Sequence, residues 1–389
     1  MNLLLLSVGD GESWQSWSGS TKSLVDHLRL AGHTVTCRNV DLQGIAKWKT
    51  ASFTFSLRRR RWWVKYQLGS RGFNERSRLA QKAVDDQCFN TDAVLQIGAT
   101  FRVMTPKGLP LALYCDSNIK LAEAGAEAGL SEASMLNSKS LRGVEARERS
   151  VYMAADRIFT MSHRLRRSFL EDFLVPEAQV HTVHPGPNFP IGQEPAVPER
   201  ALNGEPVVLF IGRDFERKGG ELLLNAFSRV RSILPEAELL VVGPDEIPLS
   251  ADDPRRRGVN LLGFLNKTTP HGQAELYNAY GRAKVFCLPT RFEPFGIVFL
   301  EAMHYKLPCI GPDAWAVPEI IEEGSTGLLF KPDDVQGLAS VLVALLTDPQ
   351  RASRMGEAGR RRLENEFSWS LAAKRIAAEL QDLSQSRSS

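Results

Sequence analysis

Short apolar runs alternate with amphipathic helical patterns along most of this sequence, and that alternation restricts the folds open to it. Runs such as residues 3–8 and 207–211 are almost wholly apolar, so each predicts a strand buried on both faces. Helical spacing recurs between the runs, as at 21–31. Strands separated by helices are typical of βαβ units, in which a parallel sheet is covered on both faces. The sequence therefore predicts an α/β protein. The expected strands are 3–8, 34–38, 92–97, 109–115, 157–161, 180–184, 207–211, 239–242, 259–262, 285–288 and 308–310.

A proline-rich segment interrupts this pattern near the middle of the chain. Residues 185–206 contain six prolines and no helical or strand periodicity, which is typical of a boundary between domains. We therefore expect two doubly wound, Rossmann-like domains facing across a cleft. The first spans 1–188, a linker spans 189–206, and the second spans 207–366. A final helix at about 367–385 is expected to pack back on the first domain.

Composition permits this architecture and excludes several other classes. The 389 residues are 43% hydrophobic and 24% charged, with a net charge of +3, so no overall charge excess favours nucleic acid. Five cysteines without a Cys-x-x-Cys pair argue against a zinc site and favour a reducing compartment. The apolar start stops at Val8 and lacks a basic leader, so we expect a first strand there and a cytoplasmic protein.

Two glutamates eight residues apart, Glu293 and Glu301, bracket Pro-Phe-Gly and the start of a predicted helix. With helical rise throughout, the two carboxylates would lie about 12 Å apart along the axis, enough to hold two parts of one elongated ligand. The paired acids of a glycosidase lie closer, at about 5 to 9.5 Å across one bond. Free amides around Phe295, Gly296 and Ile297 would favour a phosphate at the helix N-terminus. The pattern predicts a ligand with both hydroxyls and phosphate.

The same region resembles the C-terminal domain of family 4 retaining glycosyltransferases. The resemblance rests on the Glu-x7-Glu spacing and on several prolines and glycines that follow it: Pro308, Gly311, Pro318-Glu319, Gly324, Gly327 and Pro332-Asp333. It implies a GT-B fold and a hexosyltransferase that moves a sugar from a nucleoside-diphosphate donor, with retention of configuration. It also implies that Glu293 contacts the donor sugar and that Glu301 contacts the ribose. A solvated helix face is the alternative for either glutamate.

A second motif follows the strand at 207–211, where Gly212, Arg213 and Lys218 lie in a glycine-bounded loop. Anions bind at the carboxyl ends of strands in such sheets. The resemblance implies that Arg213 and Lys218 hold the donor diphosphate and neutralise its charge as it departs, with Arg217 a weaker candidate. A charged surface turn is the alternative. The nucleobase is expected near Gly263, Phe264 and Leu265.

Two candidates lie in the first domain. Gly19 ends the loop after the first strand, resembles the family's glycine loop near the diphosphate, and is expected to contact the donor. A surface loop with buried tryptophans is the alternative. Asp116 follows the strand at 109–115 and would orient the acceptor hydroxyl or bond to the donor sugar, unless it is only a turn residue. No Asp-x-Asp and no pyridoxal-phosphate lysine pattern occurs, so we expect neither a metal nor another cofactor besides the nucleotide-sugar donor.

The stretch 57–82 is locally basic, with nine cations and one acid interleaved with Trp62, Trp63, Tyr66 and Phe73. Such a composition is typical of an interfacial membrane helix or an anion-binding groove. We expect an anionic membrane surface, at the inner membrane face, or a phosphate-bearing acceptor. A solvated basic helix is the alternative. The acceptor is left open between a carbohydrate, a lipid and a small molecule. The alternative to an enzyme is a non-catalytic basic protein that binds membranes or nucleic acid on a glycosyltransferase fold.

Overall fold

The chain divides into two compact units. The computed structural model describes residues 1–126, 130–199 and 204–388. The first unit comprises Met1–Asn188 with Trp369–Ser389, and the second comprises Phe189–Ser368. The proline-rich segment at 189–206 thus lies with the second unit where it is described, and its residues 200–203 lie outside the described part of the chain.

The first unit is built on a six-stranded parallel sheet. Its strands are β1 (Asn2–Ser7), β2 (Thr34–Asn39), β3 (Ala93–Ile97), β4 (Leu111–Cys115), β5 (Arg157–Thr160) and β6 (Val180–Thr182). They lie in the order β2-β1-β3-β4-β5-β6, and each adjacent pair is parallel. Every residue of β3 and β4 is buried, as expected for strands covered on both faces.

Among the described residues, seven α-helices accompany these strands before the second unit begins. They are α1 (Ser20–Leu30), α2 (Gly44–Phe53), α3 (Arg59–Leu68), α4 (Ser70–Gln87), α5 (Ile119–Ala124), α6 (Ser138–Tyr152) and α7 (His163–Glu171). Val84 and Ala80 of α4 pack with Leu4, Leu6 and Val94 in one apolar cluster. A helix face of this kind removes apolar area from water and secures the helix to the sheet.

The second unit repeats the plan. Its strands are β7 (Val207–Ile211), β8 (Glu238–Val242), β9 (Val259–Gly263), β10 (Val285–Cys287), β11 (Cys309–Pro312) and β12 (Gly327–Phe330), and its helices are α8 (Gly220–Ile233), α9 (Pro270–Arg282), α10 (Ile297–His304), α11 (Val317–Ile320), α12 (Val335–Leu346) and α13 (Pro349–Glu366). The strands are parallel and lie in the order β12-β11-β10-β7-β8-β9. Each expected strand is confirmed within two residues at its ends, and β12 is an additional one.

The last helix, α14 (Trp369–Ser388), belongs to the first unit and contacts α1. Its first residue, Trp369, is buried and donates from Nε1 to Oδ1 of Asn188 at 3.0 Å. The amide of Asn188 also donates to the carbonyl of Ser18 at 2.9 Å. The buried Asn188 side chain therefore joins α14 to the loop that follows β1. None of the helices within the described ranges is both long and apolar enough to cross a membrane.

Each sheet reverses its winding direction at one point. In the first sheet β1 lies between β2 and β3, and in the second sheet β7 lies between β8 and β10. At such a point the loops that leave the two neighbouring strands diverge. Ligands of doubly wound sheets bind between these loops, beyond the carboxyl ends of the strands. In the second sheet, the expected ligand site therefore lies at the loops after β7 and β10.

Candidate functional site

An ion pair joins the two loops at the switch point of the second sheet. Lys218, in the loop after β7, donates from Nζ to Oε2 of Glu293, in the loop after β10. Both side chains are nearly enclosed, at 14% and 8% exposed. Burial lowers the pKa of Lys218 from its usual value, and the carboxylate of Glu293 opposes that shift. An anion that replaced Glu293 as the partner of Lys218 would meet an ammonium group already stripped of most of its water.

Backbone contacts hold these two loops against each other. The amide of Arg291 donates to the carbonyl of Arg217 at 2.9 Å, and Nη1 of Arg217 donates to the carbonyl of Phe292 at 2.9 Å. Arg217 also contacts Asp214 with a separation of 3.4 Å. Its guanidinium therefore holds the two loops together and positions Glu293, the next residue after Phe292. Arg217 thus bonds to the backbone of the β10 loop and to Asp214, whereas Lys218 pairs with the side chain of Glu293.

Close approach of the same two loops requires glycine at position 219. Gly219 has a φ of +75°, and a Cβ there would lie 1.9 Å from the carbonyl oxygen of Pro289. Gly212, at the start of the loop, would place a Cβ 2.9 Å from Cγ of Lys218. Larger residues would push the β7 loop away from the β10 loop and separate Lys218 from Glu293.

Arg213 differs from Lys218 in its surroundings, although the sequence pairs them. Its guanidinium lies over the ring of Phe264, 3.8 Å from the centroid, and the side chain is exposed. A cation stacked on an exposed ring keeps its hydrogen-bond donors available to a ligand. Phe264 follows β9, so this contact joins the loops after β7 and β9.

The helix after Glu293 starts later than the spacing argument assumed. Gly296 is the residue that precedes α10, with a φ of +112°, and the helix begins at Ile297. A Cβ on Gly296 would lie 2.9 Å from the ring of Phe299 and 3.3 Å from Cγ of Glu293. Only four of the eight residue steps between Glu293 and Glu301 are helical. The expected separation of about 12 Å assumed helical rise over all eight steps, and that assumption is wrong.

The first amides of α10 face outward from the helix, as helix geometry requires. Phe295 is buried and packs 6.4 Å from Phe367, so only its backbone is placed to meet a ligand. Ile297 is half-buried. The N-terminus of α10 directly follows Glu293 in the chain, and its dipole favours negative charge at that end.

Glu301 is also engaged, through a residue that the sequence analysis missed. Lys267, in the loop after β9, donates from Nζ to Oε1 of Glu301 at 2.6 Å. Glu301 is 12% exposed and Lys267 is 37% exposed. The only sequence signal for Lys267 is a single cation in Leu-Asn-Lys-Thr after a strand, which is common in surface turns. Both glutamates of the Glu-x7-Glu pattern therefore have a lysine partner.

The loop after β9 is tied to its neighbour. Gly263 has a φ of +66°, and its carbonyl accepts from the amide of Gly243 at 2.8 Å. The amide of Phe264 donates to Oδ1 of Asp245 at 3.4 Å, and Leu265 is half-buried. These bonds fix the backbone at 263–265 beside the β8 loop. The second unit thus has Arg213, Lys218, Glu293 and the backbone at 263–265 on loops at one edge of the sheet, and Glu301 on the helix α10 that follows the β10 loop.

Gly19 and Asp116 lie in the first unit, each after a strand of the first sheet. Gly19 is the residue before α1, with a φ of +92°, and a Cβ there would lie 2.6 Å from the ring of Trp14. It is buried and occupies the cap position of α1, so no side chain caps this helix. Asp116 is half-buried directly after β4.

Below Asp116, a buried network holds the turn into α5. The side chain of Asn118 caps α5 by accepting from the amide of Leu121 at 2.9 Å. Oε2 of Glu148 accepts from the amide of Ile119 at 2.9 Å. Burial raises the pKa of Glu148 to about 7, and the bond from Ile119 opposes the shift. The turn that leads from Asp116 into α5 is therefore held in part by a carboxyl group whose pKa is raised by burial.

Comparison with known proteins finds a family match over part of the chain. Residues 194–362 match the family model described as glycosyl transferases group 1. A relative from Mycobacterium tuberculosis, alpha-maltose-1-phosphate synthase, is 31% identical over 250 residues, which cover 58% of this chain and 63% of the relative. A GDP-mannose-dependent mannosyltransferase from Corynebacterium glutamicum is 33% identical over 188 residues, covering 45% of this chain and 47% of the relative. The matches therefore span less than two thirds of these relatives.

Solved structures share the fold over nearly the whole chain. Sucrose-phosphate synthase from Thermosynechococcus elongatus superimposes with a TM-score of 0.67 at 20% identity, covering 98% of this chain and 99% of its own. Anabaena HepE, solved with UDP-glucose, gives a TM-score of 0.64 at 15% identity, covering 98% and 100%. Similarity at this identity establishes the fold alone. The protein thus has the two-domain α/β fold of the GT-B type, and its residues 194–362 match the model of the group 1 glycosyl transferases.

Proposed function

We propose that the protein transfers a sugar from a nucleoside-diphosphate sugar to an acceptor hydroxyl. The observation that carries this proposal is the enclosed Lys218–Glu293 pair at the switch point of the second sheet, next to the N-terminus of α10. That arrangement offers one cation for a phosphate and one carboxylate for hydroxyls within direct contact of each other. The match of residues 194–362 to group 1 glycosyl transferases supports the same class of reaction.

In this proposal Arg213 and Lys218 bind the diphosphate. A phosphate oxygen takes the place of Glu293 as the partner of Lys218, and the freed carboxylate accepts hydrogen bonds from the sugar hydroxyls. Arg213 reaches the second phosphate from its position over Phe264, and the first amides of α10 add N–H donors. These groups stabilise charge that grows on the leaving diphosphate, which is usually the largest catalytic contribution.

Glu301 is proposed to bind the ribose. Its present partner, Lys267, would be displaced by the ribose hydroxyls or would turn toward the nearer phosphate. The nucleobase would lie along the backbone at Gly263 and Leu265, where the amide and carbonyl groups of an ordered loop provide its contacts. Gly19 and Asp116 are proposed for the diphosphate and the acceptor side of the reaction.

In the chemical step, the bond between the anomeric carbon and the phosphate oxygen breaks while a bond to the acceptor oxygen forms. The acceptor proton passes to the departing phosphate, so no separate base is needed if attack occurs on the same face. That route retains the anomeric configuration, which is the outcome we propose. We also propose that the reaction needs no metal, because Arg213 and Lys218 supply the positive charge and no Asp-x-Asp is present in the sequence.

The five cysteines are all free thiols, which supports the proposal of a cytoplasmic location. A non-catalytic basic protein on the same fold is the second candidate and is not favoured. It would have no need to keep Arg213, Lys218, Glu293 and Glu301 together.

The test is a melting-temperature screen with UDP, GDP and ADP, each with and without an attached sugar. A ligand at 100 times its dissociation constant stabilises the folded state by about 2.7 kcal/mol, so one nucleotide series should raise the melting temperature. GDP-mannose and UDP-glucose belong in the screen because the first occurs in the name of the mannosyltransferase relative and the second in the description of the HepE structure. Release of the diphosphate from the selected sugar nucleotide should follow. No stabilisation by any nucleotide would contradict the proposal.

A further inference from the structure

A run of large apolar side chains is exposed on α2, on α3 and on the loop between them. Six residues form this surface, which we call the α2–α3 surface: Ile45, Trp48, Phe53, Phe55, Leu57 and Trp63. They make up six of the fifteen large apolar side chains found exposed among the described residues, within nineteen positions of the chain. Leu57 is 94% exposed and Trp48 is 76% exposed. Single exposed apolar residues are normal, but such a concentration marks an interaction site.

The same segment is strongly basic. Residues 42–74 contain eight lysines and arginines and no aspartate or glutamate. Arg58, Arg59, Arg60 and Arg61 are all exposed and lie between Leu57 and Trp63. Apolar and cationic side chains therefore occur together over residues 45–63, which contain no acid to neutralise the charge.

Several residues of the basic stretch expected at 57–82 are buried or turned inward, so they do not belong to the α2–α3 surface. Arg76 is fully buried and donates to Asp41 and to Gln67. Phe73 is buried too, and Trp62 turns inward, donating from Nε1 to the carbonyl of Ala51 at 2.8 Å. The stretch 57–82 is therefore only partly available, whereas α2, which the sequence analysis left out, adds Ile45 and Trp48.

We propose that the α2–α3 surface docks on an anionic lipid bilayer. Side chains such as Leu57 and Ile45 gain from entering the acyl boundary, and tryptophans favour the level of the headgroups. The four arginines complement the negative surface potential. Single-stranded nucleic acid would use the cations and the tryptophans but would leave Leu57 and Ile45 without a partner. This chemistry therefore favours a bilayer over nucleic acid.

The proposal can be tested by sedimentation of the full chain with lipid vesicles. Vesicles of phosphatidylcholine alone should bind little, and vesicles that also contain phosphatidylglycerol should bind strongly. Binding should weaken as salt rises from about 0.1 M to about 1 M, because the screening length falls from about 10 Å to about 3 Å. Glycerol phosphate in solution should not compete, since it offers charge without an apolar phase.

Two variants separate the contributions of charge and apolar area. Replacing Arg58 through Arg61 by Ser should lower the partition coefficient by more than about 100-fold, at about 5-fold per cation. Replacing Trp48 and Leu57 by Ser should lower it by at least about 10-fold and leave the salt dependence intact. These side chains are exposed, so the melting temperature should stay near that of the wild type.

Matched controls lie elsewhere on the first unit. The quadruple variant R102S/K107S/K139S/R142S removes the same charge from exposed positions, and Phe89→Ser removes a side chain that is 94% exposed. Both controls should bind vesicles like the wild type. Equal binding to neutral and anionic vesicles, no binding to either, an equal loss in the controls, or tighter binding to an oligonucleotide than to vesicles would each overturn the proposal.

Discussion

Lys218→Met should lower the stability of the protein more than the corresponding change at Arg213, the other cation proposed to bind the diphosphate. The variant leaves Glu293 enclosed at 8% exposure without its ammonium partner. Breaking a buried pair costs about 3–5 kcal/mol, and because Lys218 retains 14% exposure we take the lower end, about 3 kcal/mol. For a unit of this size that predicts a fall of about 6–12 °C in melting temperature. Turnover should fall by at least about 100-fold.

Arg213→Met is the matched control. Arg213 is exposed and stacked on Phe264, and such a contact is worth about 0.5–1 kcal/mol. We expect the same loss of turnover, at least about 100-fold, with a fall of only a few degrees in melting temperature. Arg213 and Lys218 are thus predicted to contribute equally to turnover, whereas Lys218 is predicted to contribute more to stability.

The double variant Lys218→Met/Glu293→Gln completes the cycle. With both charges removed, most of the lost stability should return, while turnover stays low. Glu293→Gln alone should destabilise least at alkaline pH, because the lowered pKa of Lys218 lets it lose its proton there. Differential scanning calorimetry and steady-state kinetics on the four proteins measure both effects. An unchanged melting temperature for Lys218→Met, or a double variant less stable than either single one, would refute the reasoning about the buried pair.

Three further predictions follow from the site. Glu301→Ala should mainly raise the donor KM and weaken binding of the free diphosphate, whereas Glu293→Gln should lower kcat with diphosphate affinity within a few-fold of wild type; calorimetry and kinetics giving the reverse pattern would exchange the two assignments. Activity should persist in excess EDTA, and loss restored by Mg²⁺ or Mn²⁺ would contradict the metal-free proposal. Because its pKa is raised to about 7, Glu148 contributes stability that is full below pH 4.5 and gone above about pH 7. Melting curves of Glu148→Gln should therefore lack that part of the pH dependence, and parallel wild-type and variant profiles would show that Glu148 does not titrate there.

The architecture could be predicted because each buried parallel strand is a short apolar run in the sequence. The strand β12 was missed since Gly327-Leu-Leu-Phe is only four residues long and follows Ser-Thr, a typical turn sequence. The start of α10 was misplaced because helical rise was assumed from Glu293 onward, whereas the positive φ of Gly296 prevents helical geometry before Ile297. Boundaries of this kind depend on backbone conformations that a single sequence does not display.

The partners of the two glutamates could not be predicted from the sequence. Lys218 is 75 residues from Glu293, and Lys267 is 34 residues from Glu301. Such contacts depend on which strands become neighbours, and in this sheet β7 lies beside β10 and not beside β11. The sequence likewise treated Arg213 and Lys218 as equivalent cations, and only packing shows one exposed and the other enclosed.

Amide hydrogen exchange with and without the nucleoside diphosphate chosen by the melting screen tests the central claim most directly. A diphosphate bound at the carboxyl edge of the second sheet should slow exchange in three segments, 212–220, 263–267 and 295–301, because these backbones hold the proposed contacts. The edge strand β12 and the helix α13 should be unaffected. Slowed exchange in these three segments at saturating ligand is the predicted result. Protection confined to other segments, or none at saturation, would contradict the assignment of this edge as the donor site.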